Sequence, residues 1–137
     1  MRVLVTGANG QLGNEMQVLA KENPQHTYFF TDVQELDICD EQAVQACIAE
    51  NQIDVVVNCA AYTAVDKAED NEELCRKLNQ EAPGLFQKIS GFLRSSCSKI
   101  HCHHNICVCF LRPVHKLVQA KVIVLDHAPG KFRSGWS

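Results

Sequence analysis

An α/β protein built on a doubly wound parallel sheet is the fold class this sequence predicts, and three observations carry the prediction. Apolar runs of strand length alternate with segments of helical periodicity through residue 90, in the order β-α-β-α-β-α. The first run, Val3-Leu4-Val5, leads directly into a glycine-rich turn, Thr6–Gly13 (TGANGQLG), and then into a helical pattern. The run Ile53–Val57 is rich in β-branched residues, as a central parallel strand covered on both faces requires. Parallel strands joined through helices take right-handed crossovers.

Each element has its own signal. Leu12, Met16, Leu19 and Ala20 recur at helical spacing, so a first helix is expected from about Gln11 to Glu22, stopped by Asn23-Pro24. Tyr28-Phe29-Phe30 reads as a short buried strand whose aromatics belong to the core. Leu36-Asp37-Ile38 follows a polar loop. Asp40 is placed to cap a second helix with Ala43, Val44, Cys47 and Ile48 on its apolar face. Cys47 there is a small core residue. After Ile53–Val57 come small residues, Asn58-Cys59-Ala60-Ala61, then Tyr62-Thr63. They stand at the carboxyl end of a strand, the edge where open α/β sheets bind ligands. The acidic stretch Asp66–Glu73 suits a solvated helix start. Leu78, Leu85, Phe86 and Ile89 continue helix, with Pro83 in a first turn.

The order strand, glycine-rich turn, helix, strand, carboxylate at Met1–Asp32 points to dinucleotide binding. Gly7 permits the tight turn, Gly10 lets backbone approach a pyrophosphate, and Gly13 lets the helix pack closely. The helix N-terminus offers free N–H groups and the positive end of its dipole. Asp32 lies 19 residues past Gly13, about where a ribose-binding acid belongs. The spacing is G-x-x-G-x-x-G, and the plain alternative is a βα turn that uses glycine only for packing.

The length of 137 residues and apolar content of 46% suit one domain with a moderate core. No apolar run approaches transmembrane length. The first strand begins at the N-terminus, so no signal peptide is expected, the cytoplasm is the default, and the eight cysteines are expected as thiols. Charge is unevenly spread. Residues 1–90 carry 15 acidic and six basic side chains, residues 91–137 one acidic and seven basic, together with five of six histidines and four of eight cysteines. The chain is therefore divided into a Rossmann-like part, 1–90, and a divergent, irregular Cys/His-rich tail, 91–137.

Three motifs, TGANGQLG at Thr6–Gly13, LDI at Leu36–Ile38 and VVVNCAAYTAVDKAE at Val55–Glu69, resemble the dTDP-4-dehydrorhamnose reductase family, within the extended short-chain dehydrogenases/reductases. The resemblance covers about residues 1–88. It implies that Gly7, Gly10, Gln11, Leu12 and Gly13 hold the cofactor pyrophosphate, that Asp32 sits at the adenosine ribose, and that Asp37 and Ile38 lie near the adenine. It implies that Ala60, Ala61, Tyr62 and Thr63 line the path to the nicotinamide ribose, and that Glu15 matches a glutamate some members use for Mg2+ at a dimer contact. The implied activity is reduction of the 4-keto group of a dTDP-linked 4-keto-deoxyhexose (dTDP-6-deoxy-L-lyxo-4-hexulose) to dTDP-L-rhamnose with NADPH or NADH, for cell-surface polysaccharide. An acid at position 32 favours NADH by repelling a 2′-phosphate.

The sequence departs from that pattern after residue 88. The chemistry needs a proton donor, normally a tyrosine with a lysine four residues on. The only tyrosines are Tyr28 and Tyr62, followed at that distance by Asp32 and Asp66. No catalytic residue is assigned, and the chain is expected to be a truncated reductase inactive by itself. The alternatives are a non-catalytic NAD(P)-binding fragment and a metal-binding tail on a vestigial domain. Cys97, His101, Cys102, His103, His104, Cys107 and Cys109 are zinc-type ligands, but their spacing is irregular and contains no C-x-x-C. No nucleic-acid module is recognisable and no membrane contact is expected. The tail reads as an out-of-frame or altered continuation. Within it, Ile106–Leu111 is an aggregation liability if exposed, and Lys121–Asp126 has the pattern of a strand that could patch the sheet edge.

Overall fold

Three parallel strands form the centre of the molecule, and a hairpin from the tail extends them. The computed structural model describes residues 1–61, 71–92, 101–103 and 106–111. Its elements are β1 (Arg2–Thr6), α1 (Gln11–Glu22), β2 (Thr27–Thr31), α2 (Glu41–Glu50), β3 (Val55–Asn58), α3 (Glu72–Arg76), a π-helical turn (Lys77–Glu81), α4 (Ala82–Phe92), β4 (His101–His103) and β5 (Ile106–Phe110). The strand order is β2-β1-β3-β5-β4. β2 and β3 run parallel to β1, with Thr6 aligned to Thr31 on one side and Asn58 on the other. β5 lies antiparallel to β3, and β4 antiparallel to β5.

Alternation along the strands builds two cores, one on each sheet face. Val3 and Val5 of β1 join Val55 and Val57 of β3 under Met16 and Leu19 of α1. Leu4 and Val56 point the other way, onto Val44 and Ile48 of α2 and Phe86 and Ile89 of α4. Helices therefore cover both faces, and the parallel part has the expected doubly wound architecture. Leu36 and Ile38 are buried in the second core without forming a strand. β2 is less covered than its aromatics suggest. All of Tyr28, Phe29 and Phe30 are only half-buried, as befits an edge strand, and Tyr28 stacks on Phe30 with centroids 6.0 Å apart.

Local chemistry sets the helix ends. The Asp40 carboxylate accepts the N–H groups of Gln42 and Ala43 at 2.9 and 3.1 Å, capping α2 as expected. The π-helical turn has a covalent cause. Pro83 has no N–H to give the carbonyl four residues back, and its ring crowds that carbonyl. The ladder widens instead, and the Ala82 N–H bonds the Lys77 carbonyl. Glu72 and Glu73 stand exposed in the first turn of α3, where the helix dipole favours acids. Residues 66–70 of the same acidic stretch lie outside the described residues, as does the Lys121–Asp126 segment.

The edge of β3 is covered by Ile106–Phe110. Val56 aligns with Cys109 and Asn58 with Cys107. The Leu111 N–H donates to the Asp54 carbonyl at 2.8 Å, and Leu111 and Cys109 are buried in the α2–α4 core. The Cys109 thiol lies 3.3 Å from the Phe86 carbonyl. The apolar run thus spends its β-propensity inside the sheet, sharing one core with residues 1–90. Leu111→Ala is expected to cost about 2–5 kcal/mol in denaturant unfolding, the range for emptying a buried leucine site. A loss under about 1 kcal/mol would show that β5 does not pack on β3.

Candidate functional site

The carboxyl ends of β1, β2 and β3 meet at one edge, and the glycine-rich turn folds over it. Gly7 ends β1 with φ of 67°, a conformation that glycine adopts freely. A Cβ there would fall 2.5 Å from the Ala60 nitrogen, so Gly7 also lets the turn touch the end of β3. A Cβ on Gly13 would fall 2.3 Å from the Gly7 carbonyl oxygen and 2.5 Å from Ala8. Gly13 therefore brings the helix against the turn itself. Gly10 differs: its Cβ would meet only the Gly7 oxygen, at 3.4 Å. Among the described residues, packing leaves that side of Gly10 open.

The turn is tied to β2 by backbone and carboxylate. The Ala8 N–H donates to the Thr31 carbonyl at 3.1 Å, and the Asn9 N–H to Asp32 Oδ2 at 2.9 Å. Asp32 Oδ1 accepts the Val33 N–H at 2.8 Å. Each carboxylate oxygen keeps a further lone pair for an incoming hydroxyl. No side chain caps α1 and no acid lies in its first turn. The first bond to its N-cap runs from Asn14 to the Gly10 carbonyl, 3.0 Å, leaving the N–H groups around Gln11 and Leu12 directed at the turn's mouth. An uncapped helix end beside a glycine with a bare face fits a phosphate.

Beneath the turn lies a polar pair that sequence reasoning missed. Thr6 Oγ1 donates to Asn58 Oδ1 at 2.6 Å, both residues being about 1% exposed. The same oxygen accepts the Ala60 N–H at 3.2 Å, and the Cys59 N–H bonds the Thr6 carbonyl at 3.0 Å. The available signal was a polar residue ending each of two apolar runs that pair in register.

The structure brings together Gly7, Gly10, Gln11, Leu12, Gly13, Asp32, Ala60 and Ala61 at this edge. Gln11 is exposed, and Leu12 is half-buried against the α1 core. Tyr62 and Thr63 lie outside the described residues. Asp37 is exposed, and its carboxylate accepts the Cys39 N–H at 2.9 Å. Ile38 is 5% exposed, so its side chain belongs first to the core. It also forms the floor of a surface cleft of about 270 Å3 beside Cys39, Glu41, Leu85 and Lys88. Glu15 is exposed on the outer face of α1. Among the described residues no three His, Cys, Asp or Glu side chains converge as metal ligands.

Burial raises the thiols near this edge. Cys59, directly after β3, is pushed up from 9.0 to about 12 by desolvation. Cys39 is raised by desolvation first and then by Asp37.

Residues 1–91 match the family described as RmlD substrate binding domain. The chain belongs to this family. A solved dTDP-4-dehydrorhamnose reductase from Clostridium acetobutylicum is 45% identical to this RmlD-family chain, with TM-score 0.60, over 64% of this chain and 31% of that one. The Bacillus anthracis dTDP-4-dehydrorhamnose reductase, solved in complex with NADP, is 36% identical with TM-score 0.56, over 63% and 30%. A Streptomyces antibioticus relative, described as a probable dTDP-4,6-dihydroxy-2-methyloxan-3-one 4-ketoreductase, is 46% identical over 86 residues, 63% of this chain and 29% of that protein. The RmlD-family chain thus spans about three-tenths of the length of these relatives.

Two outcomes are expected for the site's framework. Gly7→Ala should lower stability by at least about 2 kcal/mol in denaturant titration, from backbone strain and the Ala60 clash; a neutral result would contradict the positive φ. The raised Cys59 thiol favours the protonated form in the folded state. The unfolded chain loses that proton from about pH 9, so stability should fall as pH rises from 9.0 towards about 12. The fall should be shallower in Cys59→Ala, and parallel curves for both proteins would rule out this source.

Proposed function

We propose that this RmlD-family chain binds NADPH or NADH across the carboxyl edge of β1, β2 and β3, as the cofactor-holding part of a dTDP-4-keto-sugar reductase. The observation that carries the reading is the open face of Gly10 beside the uncapped start of α1, in a turn whose other two glycines are occupied by the protein's own packing. In a complete reductase of this kind, nicotinamide bound there would supply hydride to the 4-keto carbon of a dTDP-linked deoxyhexulose.

The chain's own residues do the binding. Backbone N–H groups around Gln11 and Leu12 take the pyrophosphate, with the α1 dipole adding its positive end. Asp32 holds the turn through Asn9 and accepts ribose hydroxyls with its remaining lone pairs. The Thr6–Asn58 pair keeps Ala60 against Gly7, so the nicotinamide-side wall and the phosphate-side turn stay in register. Family resemblance and the NADP held by the Bacillus anthracis relative support NADPH, while the Asp32 carboxylate supports NADH. With no Tyr-x-x-x-Lys in these 137 residues, the chain holds cofactor without the proton donor that completes reduction.

Titration with NADPH and with NADH, followed by calorimetry, tests the reading. Saturable binding is expected, weakened at least about tenfold by Gly10→Ala while unfolding free energy changes by no more than about 1 kcal/mol. No binding at millimolar cofactor would remove the proposal. Cofactor oxidation on adding the dTDP-4-keto sugar should equal the protein-free rate; turnover above it would show a complete reductase.

A further inference from the structure

We propose that Cys102 and Cys107 form a reversible disulfide that staples the β4–β5 hairpin at the ligand edge of the sheet. The backbone register carries this inference, and it is independent of cofactor binding.

Cys102 stands directly opposite Cys107 in the antiparallel β4–β5 pair, flanked by His101 opposite Val108 and His103 opposite Ile106. Directly opposed residues of antiparallel strands have Cα atoms about 4.5 or 5.5 Å apart, according to the hydrogen-bonding pattern. Both separations fall inside the range a disulfide spans without backbone movement. Register places the pair further. Thr31, Thr6, Asn58, Cys107 and Cys102 form one row across all five strands. The row runs along the carboxyl ends of the parallel strands, with Thr6 and Asn58 at its centre. The cysteine pair therefore ends the line of residues that supports the glycine-rich turn.

Three of the other described cysteines are poorer candidates. Cys109 is buried, with its thiol at the Phe86 carbonyl. Cys59 is pushed up to about 12, and burial also raises Cys47. A thiol held protonated attacks disulfides slowly.

The exchange needs a low-molecular-weight disulfide such as oxidised glutathione. One thiolate of the pair attacks it, forming a mixed disulfide and releasing one glutathione thiolate. The second thiolate attacks the protein sulfur of the mixed disulfide, forming the Cys102–Cys107 bond and releasing the second glutathione. The two protein thiols are oxidised by two electrons, glutathione disulfide is reduced, and the two cysteine protons end on the two glutathione thiols.

The test is equilibration of the full chain with glutathione buffers of graded ratio, acid quenching, alkylation and peptide mapping. It is run in native buffer and in guanidinium chloride. A Cys102–Cys107 linkage is expected, with an equilibrium constant at least about tenfold larger in native buffer, because the sheet aligns the two positions. Cys102→Ser should leave Cys107 reduced at ratios that oxidise the parent pair. Equal constants in both solvents would overturn the proposal, since proximity in sequence would then suffice. So would Cys102 and Cys107 remaining reduced where other cysteines oxidise.

Discussion

The buried hydrogen bond from Thr6 to Asn58 is the constraint on which the ligand edge depends. It joins the last residues of two parallel strands where the ladder ends and the loops begin. Without it, two polar side chains would sit in a dry core, a penalty of about 1–3 kcal/mol for each group left unpaired. Because Asn58 Oδ1 also accepts the Ala60 N–H, the bond fixes the direction in which the chain leaves β3. That direction brings Ala60 against Gly7, a contact too close for any residue with a Cβ. The turn is further tied to β2, where the Ala8 N–H donates to the Thr31 carbonyl and the Asn9 N–H to the Asp32 carboxylate. A single side-chain pair therefore fixes the contact between the end of β3 and the glycine-rich turn.

The parallel half was legible because its signals are local and agree with one another. Alternation in Val3-Leu4-Val5 set the two faces, helical spacing placed Met16 and Leu19 over one and Val44 and Ile48 over the other, and Asp40 marked a helix start. The three glycines were recognisable as a motif, but their division of labour was not. Gly7 and Gly13 differ from Gly10 only in what lies beyond the turn, which is a tertiary fact. Thr6 and Asn58 were overlooked for the same reason: each looks like a strand terminus until register sets them side by side.

The tail was harder to read because a strand's partner is not written in the strand. Ile106–Phe110 has the composition of a strand anywhere, and composition alone made it equally a hazard and a building block. What decides is the free edge of β3, whose hydrogen-bonding groups the run satisfies, and the space under α4 that Cys109 and Leu111 fill. Lys121–Asp126 carried a comparable strand signal without any local clue to which segment would take the edge. The Cys/His density of the tail drew attention to metal chemistry. The pairing of β4 with β5 gives Cys102 and Cys107 a shared register position.

Strand polarity has a consequence for catalysis. A parallel strand beside β3 would deliver the residues that follow it to the carboxyl edge, next to Gly7 and Ala60. β5 runs the other way, so the chain leaves it at Leu111, bonded to Asp54 at the opposite end of β3. Five residues of strand span roughly 17 Å, and the exit point is displaced by about that distance from the glycine-rich turn. Thus the sheet is extended past β3, and the α2–α4 core filled by Cys109 and Leu111, by a strand that ends beside Asp54 and not at the carboxyl edge. In an open α/β sheet, the direction of one added strand decides which edge the residues after it reach.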